Sequence, residues 1–495
     1  MSVKALAFDL GASSGRVVVG QFDGELLTAT EVYRFPNEPV RVHQRLYWDV
    51  LRLFHEMKQG LIAARLQGHG DVQSIGVDTW GLDFGLIDEH GELLGMPYHY
   101  RDTRTQGMME EVWQQIPREE IYHRTGIQFL SMNTLYQLYA LKSKAPLQLE
   151  QAETLLMMPE LLRYFLTGTR QSEWTIASTT QLGNPYTRTW DRELIQRLGF
   201  PPHLFLEPVQ PGTVAGPLLP EIAREVGFSE VPVIAVAEHD TASAIAAVPT
   251  LQPDFAYLSS GTLSLLGTEL KEPAINDNSY TWNITNEGGV AHTTTLLKNL
   301  TGFWLIQECK RAWRREGKLI SYPEELRFIE QAAELRSFIN PDDAMFNQPL
   351  HMPQQIQLYC QMSGQPVPTT EGEILRCIVE SLAFRCRFVL ERIERLTGNY
   401  FERLHIVGGG AEHVAFCRCL ASALGRPVWA GPQEAAAIGN LLTQYQALGY
   451  ISDWRQARRI VHRSFPAQVY EPIMNERWND AYLRFCEVTG QNESV

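Results

Sequence analysis

The sequence predicts an α/β protein with two similar lobes, each a mixed sheet flanked by helices, and a cleft between them. A glycine turn between two apolar strands occurs near residues 5–20 and recurs near residues 255–267. In the opening third of the chain an amphipathic helical segment follows three strands, a pattern typical of sheets covered by helices. The length of 495 residues suits two or three domains. We place the lobe boundary near Pro249, which gives domains at 1–248 and 249–495.

The first glycine turn has the composition of a phosphate-binding loop. Asp9 closes the strand before it, and the turn reads Gly11-Ala12-Ser13-Ser14-Gly15-Arg16. Its glycines allow a sharp bend whose backbone N–H groups can surround an anion, and Arg16 adds a cation at the exit. Asp9 is a candidate for holding Mg²⁺ through water. An ordinary hairpin with a small-residue turn explains the same residues.

The second turn favours a nucleotide site over an ordinary hairpin. Laying Gly11 over Gly261 aligns both hairpins, because Ser259-Ser260-Gly261-Thr262 also separates two apolar strands. Two such turns, one in each half of the chain, predict that both lobes grip the phosphates of one nucleotide.

The remaining elements follow from hydrophobic periodicity and turn residues. Asp49 is expected to cap a helix whose apolar side carries Val50, Leu51, Phe54, Leu61 and Ile62. Strands are expected at residues 26–33, 72–77, 231–237 and 404–407, with a hairpin at 84–94. Helices are expected within 105–198, at 242–248, from about Asn299, at 371–396, up to Leu424 and after Asp453.

The composition limits the class of partner. A net charge of −14 argues against nucleic acid and anionic membranes, because both favour a basic surface. No apolar run approaches the ~20 residues of a membrane span. Asp9 interrupts the N-terminal apolar stretch, so we expect no secretory signal. The oligomeric state is left open.

The cysteines indicate a reducing compartment. Seven cysteines, an odd number, fit a cytoplasmic protein. A pairing of Cys360 with Cys377 stays open. His413 lies near Cys417 and Cys419, but without a second ligand pair this spacing favours a buried helix face over a metal site.

Polar residues follow two of the predicted strands, where α/β proteins usually contact ligands. Glu238-His239-Asp240-Thr241 follows the strand at 231–237, and Asp240 is the candidate general base for a sugar hydroxyl. Asp240 or Thr241 could equally be a helix N-cap. The segment Asp78-Thr79-Trp80-Gly81-Leu82-Asp83 offers carboxylates and an aromatic ring to a polyol, or forms a β-turn with an exposed tryptophan.

Two features of the second half suit an adenine nucleotide. Gly408-Gly409-Gly410 directly follows a strand, so either a flat group lies against the backbone or the turn needs unusual dihedrals. Asn299 and Gln307 are expected about two turns apart on one helix face, which either points to the nucleotide or is solvated.

Together these residues resemble the FGGY carbohydrate kinases of the actin-like ATPase superfamily, and the resemblance runs nearly the whole length. The segments that carry it are 9–16, 76–81, 100–102, 126–129, 133–138, 178–182, 239–244, 257–262, 283–289 and 405–410. Each motif is moderately specific, whereas their order and number make chance an inadequate explanation. The resemblance implies two ribonuclease-H-like lobes, the N-terminal one binding sugar and the C-terminal one binding nucleotide.

Many members of that family have threonine after the first glycine, whereas this chain has Ala12 after Gly11. In this respect the chain resembles the branch of the family that acts on L-rhamnulose. The resemblance implies ATP-dependent phosphorylation of L-rhamnulose at its 1-hydroxyl with Mg²⁺. It implies that Asp240 accepts the proton and that Gly81, His239, Asp240 and Thr241 line the sugar site. It implies that ATP is held by Ala12, Ser13, Ser14, Gly15, Arg16, Thr262, Asn299, Gln307 and Gly409. A kinase for another ketose, such as L-fuculose or a pentulose, and an actin-like ATPase without sugar transfer are the rival hypotheses.

Overall fold

A computed structural model describes residues 2–347, 349–474 and 476–491. The chain divides into two compact units that are discontinuous in sequence. The first unit contains residues 1–251, 269–296 and 434–465, and the second contains 252–268, 297–433 and 466–495. The assignment of sugar binding to residues 1–248 and of nucleotide binding to 249–495 stays a prediction.

The first half of the chain contains both strands and helices. The strands are β1 (Val3–Leu10), β2 (Ser14–Phe22), β3 (Leu27–Pro36), β4 (Val40–Val42), β5 (Arg45–Tyr47), β6 (Ile75–Thr79), β7 (Phe84–Ile87), β8 (Thr154–Met157), β9 (Ser172–Glu173), β10 (Gly183–Asn184), β11 (Thr189–Trp190), β12 (Pro208–Val209), β13 (Thr213–Pro217) and β14 (Pro232–Ala235). The helices are α1 (Val50–Leu66), α2 (Met108–Gln115), α3 (Arg118–Thr125), α4 (Thr134–Lys144), α5 (Pro146–Gln151), α6 (Met158–Thr167), α7 (Trp174–Ser178), α8 (Arg192–Arg197), α9 (Pro220–Val226) and α10 (Asp240–Ala246).

The second half is richer in helix. Its strands are β15 (Ala256–Ser260), β16 (Leu263–Leu270), β17 (Thr285–Gly288), β18 (Thr294–Thr301), β19 (Leu404–Val407), β20 (Val428–Ala430) and β21 (Gln468–Tyr470). Its helices are α11 (Asp277–Thr281), α12 (Trp304–Arg315), α13 (Tyr322–Gln331), α14 (Met352–Met362), α15 (Glu371–Thr397), α16 (Val414–Leu424), α17 (Ala435–Ala447), α18 (Trp454–Ser464) and α19 (Glu476–Val488). Among the residues described here, no helix combines the length and apolar character needed to cross a bilayer.

The first unit is organised around a mixed six-stranded sheet in the order β13-β14-β6-β1-β2-β3. β1 pairs antiparallel with β2 and parallel with β6, so that Asp9 lies opposite Arg16 on one side and Asp78 on the other. β14 continues the sheet in parallel beside β6. The carboxyl ends of three parallel strands therefore meet at one edge, where α/β proteins bind their ligands.

Helix α1 confirms the predicted cap and corrects one face residue. The Asp49 side chain accepts a hydrogen bond from the Arg52 N–H, which satisfies one free donor of the first turn. Val50 and Leu61 are buried, whereas Leu51 is 58% exposed. The buried side follows Val50, Leu53, Met57, Leu61 and Ala64. Leu51 is displaced by about 100° from Val50 on a helix, so it falls outside that face.

The second unit repeats the core arrangement of strands. β15 pairs antiparallel with β16 and parallel with β19, and β19 pairs parallel with β20. The predicted second hairpin is therefore confirmed, and the sheet is mixed as expected. Helix α15 is confirmed at Glu371–Thr397, starting from a capping box between Thr370 and Glu373.

The expected start of a helix near Asn299 is wrong. Asn299 belongs to β18, and α12 begins only at Trp304. At the junction, the N–H of Phe303 donates to the Gly261 carbonyl at 2.9 Å, and a Cβ on Gly302 would lie 2.4 Å from the same oxygen. The chain therefore stays extended until it reaches the second glycine turn, and the helix starts there.

Candidate active site

The segment after β14 carries the candidate base. His239 is the N-cap residue of α10, and Asp240 is the first residue inside that helix. The capping alternative for Asp240 and Thr241 is therefore wrong. Asp240 accepts a hydrogen bond from the Thr241 hydroxyl at 3.2 Å, and its side chain keeps 29% of its surface exposed. A partly accessible carboxylate at a strand end can receive a proton from a bound alcohol.

Gly81 lies beside this segment. β6 leads to it, and Thr79 forms a parallel bridge with His239, while the Thr79 N–H donates to the Glu238 carbonyl at 3.0 Å. A Cβ on Gly81 would lie 3.4 Å from Nε2 of His239. The structure thus brings together Gly81, His239, Asp240 and Thr241, the four residues expected at the sugar site.

A buried ion pair anchors the strand end that precedes Asp240. Nε of Arg163 donates to Glu238 at 2.5 Å, and neither side chain has exposed surface. Burial raises the pKa of Glu238, and the Arg163 guanidinium opposes that shift. Because a buried charge without its partner is expensive, the pair holds α6 and the end of β14 in a single arrangement.

Two further side chains hold the backbone of the same strand end. Glu173 accepts from the Glu238 N–H at 3.3 Å and from the Thr175 hydroxyl at 2.5 Å. The hydroxyl oxygen of Thr175 in turn accepts from the His239 N–H at 3.2 Å. Burial and the charge of Glu238 raise the pKa of Glu173 to about 8. The position of the candidate base is therefore set by α6 and α7.

The first glycine turn is surrounded by charge. Nη2 of Arg16 lies 2.8 Å from Asp9, and Arg16 also forms an ion pair with Glu434.

The backbone of the first glycine turn is closed by a hydrogen bond. The N–H of Gly11 donates to the Ser14 carbonyl at 2.9 Å, while Ser13 is exposed. A Cβ on Gly15 would lie 2.2 Å from the Phe35 ring, so this position requires glycine for packing.

Asp78 is a second buried carboxylate at this sheet edge. Its Oδ2 accepts from Asn440 at 2.7 Å, and its Oδ1 has no hydrogen-bond partner among the described residues. Burial, with the negative charge of Asp9 added to it, raises the pKa of Asp78 well above its ordinary value. A protonated Asp78 carries no charge, so it is not repelled by the carboxylates of Asp9 and Asp240.

The same two effects act on the candidate base. Removal from bulk water raises the pKa of Asp240; the charge of His239 opposes that shift and the charge of Asp9 adds to it. A carboxylate with a raised pKa binds a proton more tightly, so it is a better acceptor near neutral pH.

Asp83 and Trp80 contradict both sequence interpretations, which expected a carboxylate facing a polyol or an exposed tryptophan. Asp83 is fully buried and accepts from Nε1 of Trp48 at 2.6 Å and of Trp80 at 3.1 Å. Trp80 is itself only 6% exposed. Asp83 therefore joins two indole rings to the turn instead of facing a polyol.

In the second unit, the structure brings Thr262 and Gln307 together. The Thr262 hydroxyl lies 3.3 Å from Oε1 and 3.2 Å from Nε2 of Gln307, and both side chains reach the surface. Asn299 does not share a helix face with Gln307, because it lies on β18. The pairing of Thr262 with Gln307 depends on α12 starting against the second glycine turn.

The three glycines after β19 differ in their surroundings. Gly408 has φ +79°, and a Cβ on Gly410 would lie 2.3 Å from Oγ of Ser260. A Cβ on Gly409 would meet no heavy atom within 4 Å. Gly408 and Gly410 are therefore required by the fold, whereas Gly409 leaves open space beside the backbone.

The cysteines do not form a metal site or a disulfide. All seven are free thiols. His413 instead caps α16 by accepting from the Phe416 N–H at 3.1 Å, and its Nε2 lies 3.0 Å from Glu325. Cys417 donates to backbone carbonyls on the buried side of α16, as the favoured interpretation expected.

Sequence reasoning missed several residues that contact the candidate site residues or the segments next to them. Their partners are distant in the chain, and no local pattern distinguishes them from other polar side chains. They are Arg163, Glu173, Glu434 and Asn440, with Glu287 of β17, which the sequence comparison placed in a motif but assigned no role.

Two family models match the chain over most of its length. The N-terminal domain of the FGGY family of carbohydrate kinases matches residues 4–246, and the C-terminal domain of that family matches residues 256–448. The chain belongs to the FGGY family of carbohydrate kinases. In this kinase the N-terminal match contains Asp9, Gly81 and Asp240, and the C-terminal match contains Thr262 and Gly409.

Curated relatives and solved structures agree with this family. The kinase is 43% identical over 485 residues to a rhamnulokinase of Bacteroides thetaiotaomicron, covering 98% of this chain and 99% of the relative. It is 42% identical to a rhamnulokinase of Pectobacterium atrosepticum, covering 98% and 96%. The fold matches a gluconate kinase from Lactobacillus acidophilus with a TM-score of 0.80 at 16% identity, covering 99% and 98%. A xylulose kinase from the same organism matches with a TM-score of 0.79 at 16% identity, covering 98% and 97%.

Proposed function

We propose that this kinase transfers the γ-phosphoryl group of ATP to the 1-hydroxyl of L-rhamnulose, giving L-rhamnulose 1-phosphate and ADP. The observation that carries the proposal is the grouping of Asp240 with His239, Thr241 and Gly81 at one sheet edge. The full-length similarity to curated rhamnulokinases supports L-rhamnulose as the sugar.

Asp240 is the proton acceptor in this mechanism. As the sugar oxygen bonds to phosphorus, its proton moves to the Asp240 carboxylate, which is held by Thr241 and by the start of α10. The raised pKa of Asp240 makes this transfer more favourable near neutral pH. A positioned general base contributes about 10²–10⁴-fold, and alignment of the reacting groups supplies much of the rest.

The nucleotide is assigned to residues of both glycine turns. Thr262 and Gln307 offer hydroxyl and amide groups, and Gly409 leaves room for a flat base. Ala12, Ser13, Ser14, Gly15 and Arg16 are assigned to the phosphates. Asn299, on β18 rather than on a helix, stays a candidate for the nucleotide as well.

Asp9 is the residue that we assign to Mg²⁺, through water. Its carboxylate is buried, yet one oxygen is shared with Arg16, so an indirect contact suits it better than a direct one. Mg²⁺, when bound, neutralises charge on the ATP phosphates. The free cysteines, which suit a reducing compartment, support a cytoplasmic location.

Product analysis tests this function. Purified enzyme with ATP, Mg²⁺ and L-rhamnulose is expected to give L-rhamnulose 1-phosphate, identified by mass and by ³¹P NMR. A parallel panel containing L-fuculose and pentuloses measures kcat/KM for each sugar by coupled ADP detection. A higher kcat/KM for another ketose would reassign the substrate. ADP release that does not depend on any sugar would favour an ATPase without sugar transfer.

A further inference from the structure

His239 has a buried carboxylate behind its ring that the proposed mechanism does not use. Nδ1 of His239 lies 3.4 Å from Oε2 of Glu287, and the two side chains are 9% and 8% exposed. Neither atom makes a hydrogen bond within the described residues, so each is the nearest charged or polar partner there for the other. Buried polar atoms that face only each other are strongly coupled, because no solvent competes for them.

The other nitrogen of His239 faces the candidate sugar site. Nε2 lies 3.6 Å from Oδ1 of Asp240, and a Cβ on Gly81 would lie 3.4 Å from it. The ring therefore joins Glu287 on one side to the sugar-binding residues on the other. The hydrogen bond made by one ring nitrogen determines what the other nitrogen can do.

Glu287 itself is held in place by its strand. The Gly288 N–H donates to Oγ of Ser178 at 2.8 Å, and the Thr295 hydroxyl donates to the Glu287 carbonyl at 3.3 Å. A Cβ on Gly288 would lie 2.5 Å from Nε1 of Trp174, so β17 packs closely on α7. The backbone that carries the carboxylate is thus fixed, and the side chain is buried.

We propose that Glu287 is a positioning residue that accepts Nδ1–H of His239 and holds Nε2–H as a hydrogen-bond donor to a sugar oxygen beside Asp240. This inference rests on the proposed function, and it assigns to Glu287 a role in sugar recognition. The ligand is an oxygen atom of the ketose near the reacting hydroxyl. A donor fixed on both sides rejects sugars that lack an acceptor there.

The electrostatics agree with that geometry. Burial lowers the pKa of His239, but the hydrogen bond and charge of Glu287, with the charge of Asp240, outweigh burial and raise it overall. A protonated ring donates from both nitrogens.

Kinetics of Glu287→Gln test the role. Glutamine keeps the shape and removes the charge, so we expect the KM for L-rhamnulose to rise about tenfold or more, the range for a weakened charged hydrogen bond. The KM for ATP should stay unchanged. Glu89→Gln is the matched control, because it makes the same chemical change at an exposed glutamate that also lies beside a histidine, His90, and we expect both KM values to stay near those of the parent enzyme.

A spectroscopic measurement without sugar or ATP makes the test independent of turnover. In enzyme labelled with ¹³Cε1-histidine, the His239 signal is assigned by its loss in His239→Gln. We expect Glu287→Gln to deprotonate His239 at lower pH than the parent enzyme does. Glu287→Asp should show smaller changes in the same direction, and it replaces Glu287→Gln if circular dichroism shows that the glutamine variant is unfolded.

Unchanged sugar KM and an unchanged His239 signal in a folded Glu287 variant would overturn the inference. A rise in the ATP KM equal to that in the sugar KM would also overturn it, because a general loss of structure would then explain both. If the parent enzyme does not phosphorylate L-rhamnulose, the proposed function fails, and the His239 signal still decides whether Glu287 controls that ring.

Discussion

The two glycine turns share an arrangement of strands and differ in chemistry and in loop length, because the closing hydrogen bond spans two residues in the first turn and one in the second. In the first, the Gly11 N–H bonds to the Ser14 carbonyl, and in the second the Gly261 N–H bonds to the Leu263 carbonyl, both at 2.9 Å. The strand before each turn pairs antiparallel with the strand after it and parallel with a third strand. One local design is therefore used twice in the chain.

The side chains around the two turns differ in charge. Asp9, Arg16 and Glu434 form ion pairs at the first turn. At the second turn Thr262 contacts Gln307, and Ser260 contacts Ser264 at 3.2 Å, all through neutral groups. Charged groups are suited to the reacting phosphate and proton, whereas hydroxyl and amide groups are suited to holding a nucleotide. The two turns therefore share a backbone arrangement and differ in the side chains around it.

The largest expected difference concerns the base, which only the first unit supplies. Asp240→Asn removes the proton acceptor and keeps the size of the side chain, so kcat should fall about 10²–10⁴-fold. Binding of ATP, measured by calorimetry, should be unchanged. Asp277→Asn makes the same chemical change at an exposed carboxylate and should leave kcat unaffected. Near-normal turnover of Asp240→Asn would remove Asp240 from the mechanism.

The next difference is in stability, measured by urea unfolding of matched variants at the two turns. Arg16→Met leaves the buried Asp9 carboxylate without its cation, so the free energy of unfolding should fall by about 1–3 kcal/mol. Thr262→Val removes one surface hydrogen bond at the neutral turn and should cost about 0.5 kcal/mol or less. Equal losses at both turns would show that the charged pairs do not distinguish them.

The third comparison separates two neighbouring glycines near the second turn. Gly409→Val extends into open space, so the melting temperature should hold while the KM for ATP rises about tenfold, which is ~1.4 kcal/mol of binding. Gly410→Ala would press on Ser260, so it should destabilise the fold by about 1–3 kcal/mol. An unchanged KM for ATP in Gly409→Val would place the nucleotide away from Gly409.

Features with a local signal were predicted from the sequence. The second hairpin, the Asp49 cap and helix α15 each depend on residues within a few positions of one another. The start of α12 was predicted several residues too early, because pairing of β18 in the sheet overrides the helical spacing of its apolar residues. Leu51 was placed on the wrong face, because several apolar residues crowd the first turn of α1 and only packing selects among them.

The residues of the candidate site also fall into those that the sequence indicated and those that it did not. Asp240 was singled out because polar residues follow a strand there, whereas His239 and Gly81 were assigned through the resemblance to carbohydrate kinases. Asn440 and Glu287 carry no such signal, since Asn440 meets Asp78 across 362 residues of chain and Glu287 meets His239 from β17. Their roles depend on burial, which no short segment of sequence encodes.

The sequence by itself determined the α/β class, the two glycine turns, the candidate base and the resemblance to carbohydrate kinases, because each depends on short motifs in order. Only the tertiary structure decided which charges meet: Arg16 with Asp9 and Glu434, Arg163 with Glu238, and His239 with Glu287. The physical reason is that the energetic effect of a charged side chain depends on the hydration that it loses on burial and on the oppositely charged partner that offsets this loss. Both are properties of the folded chain.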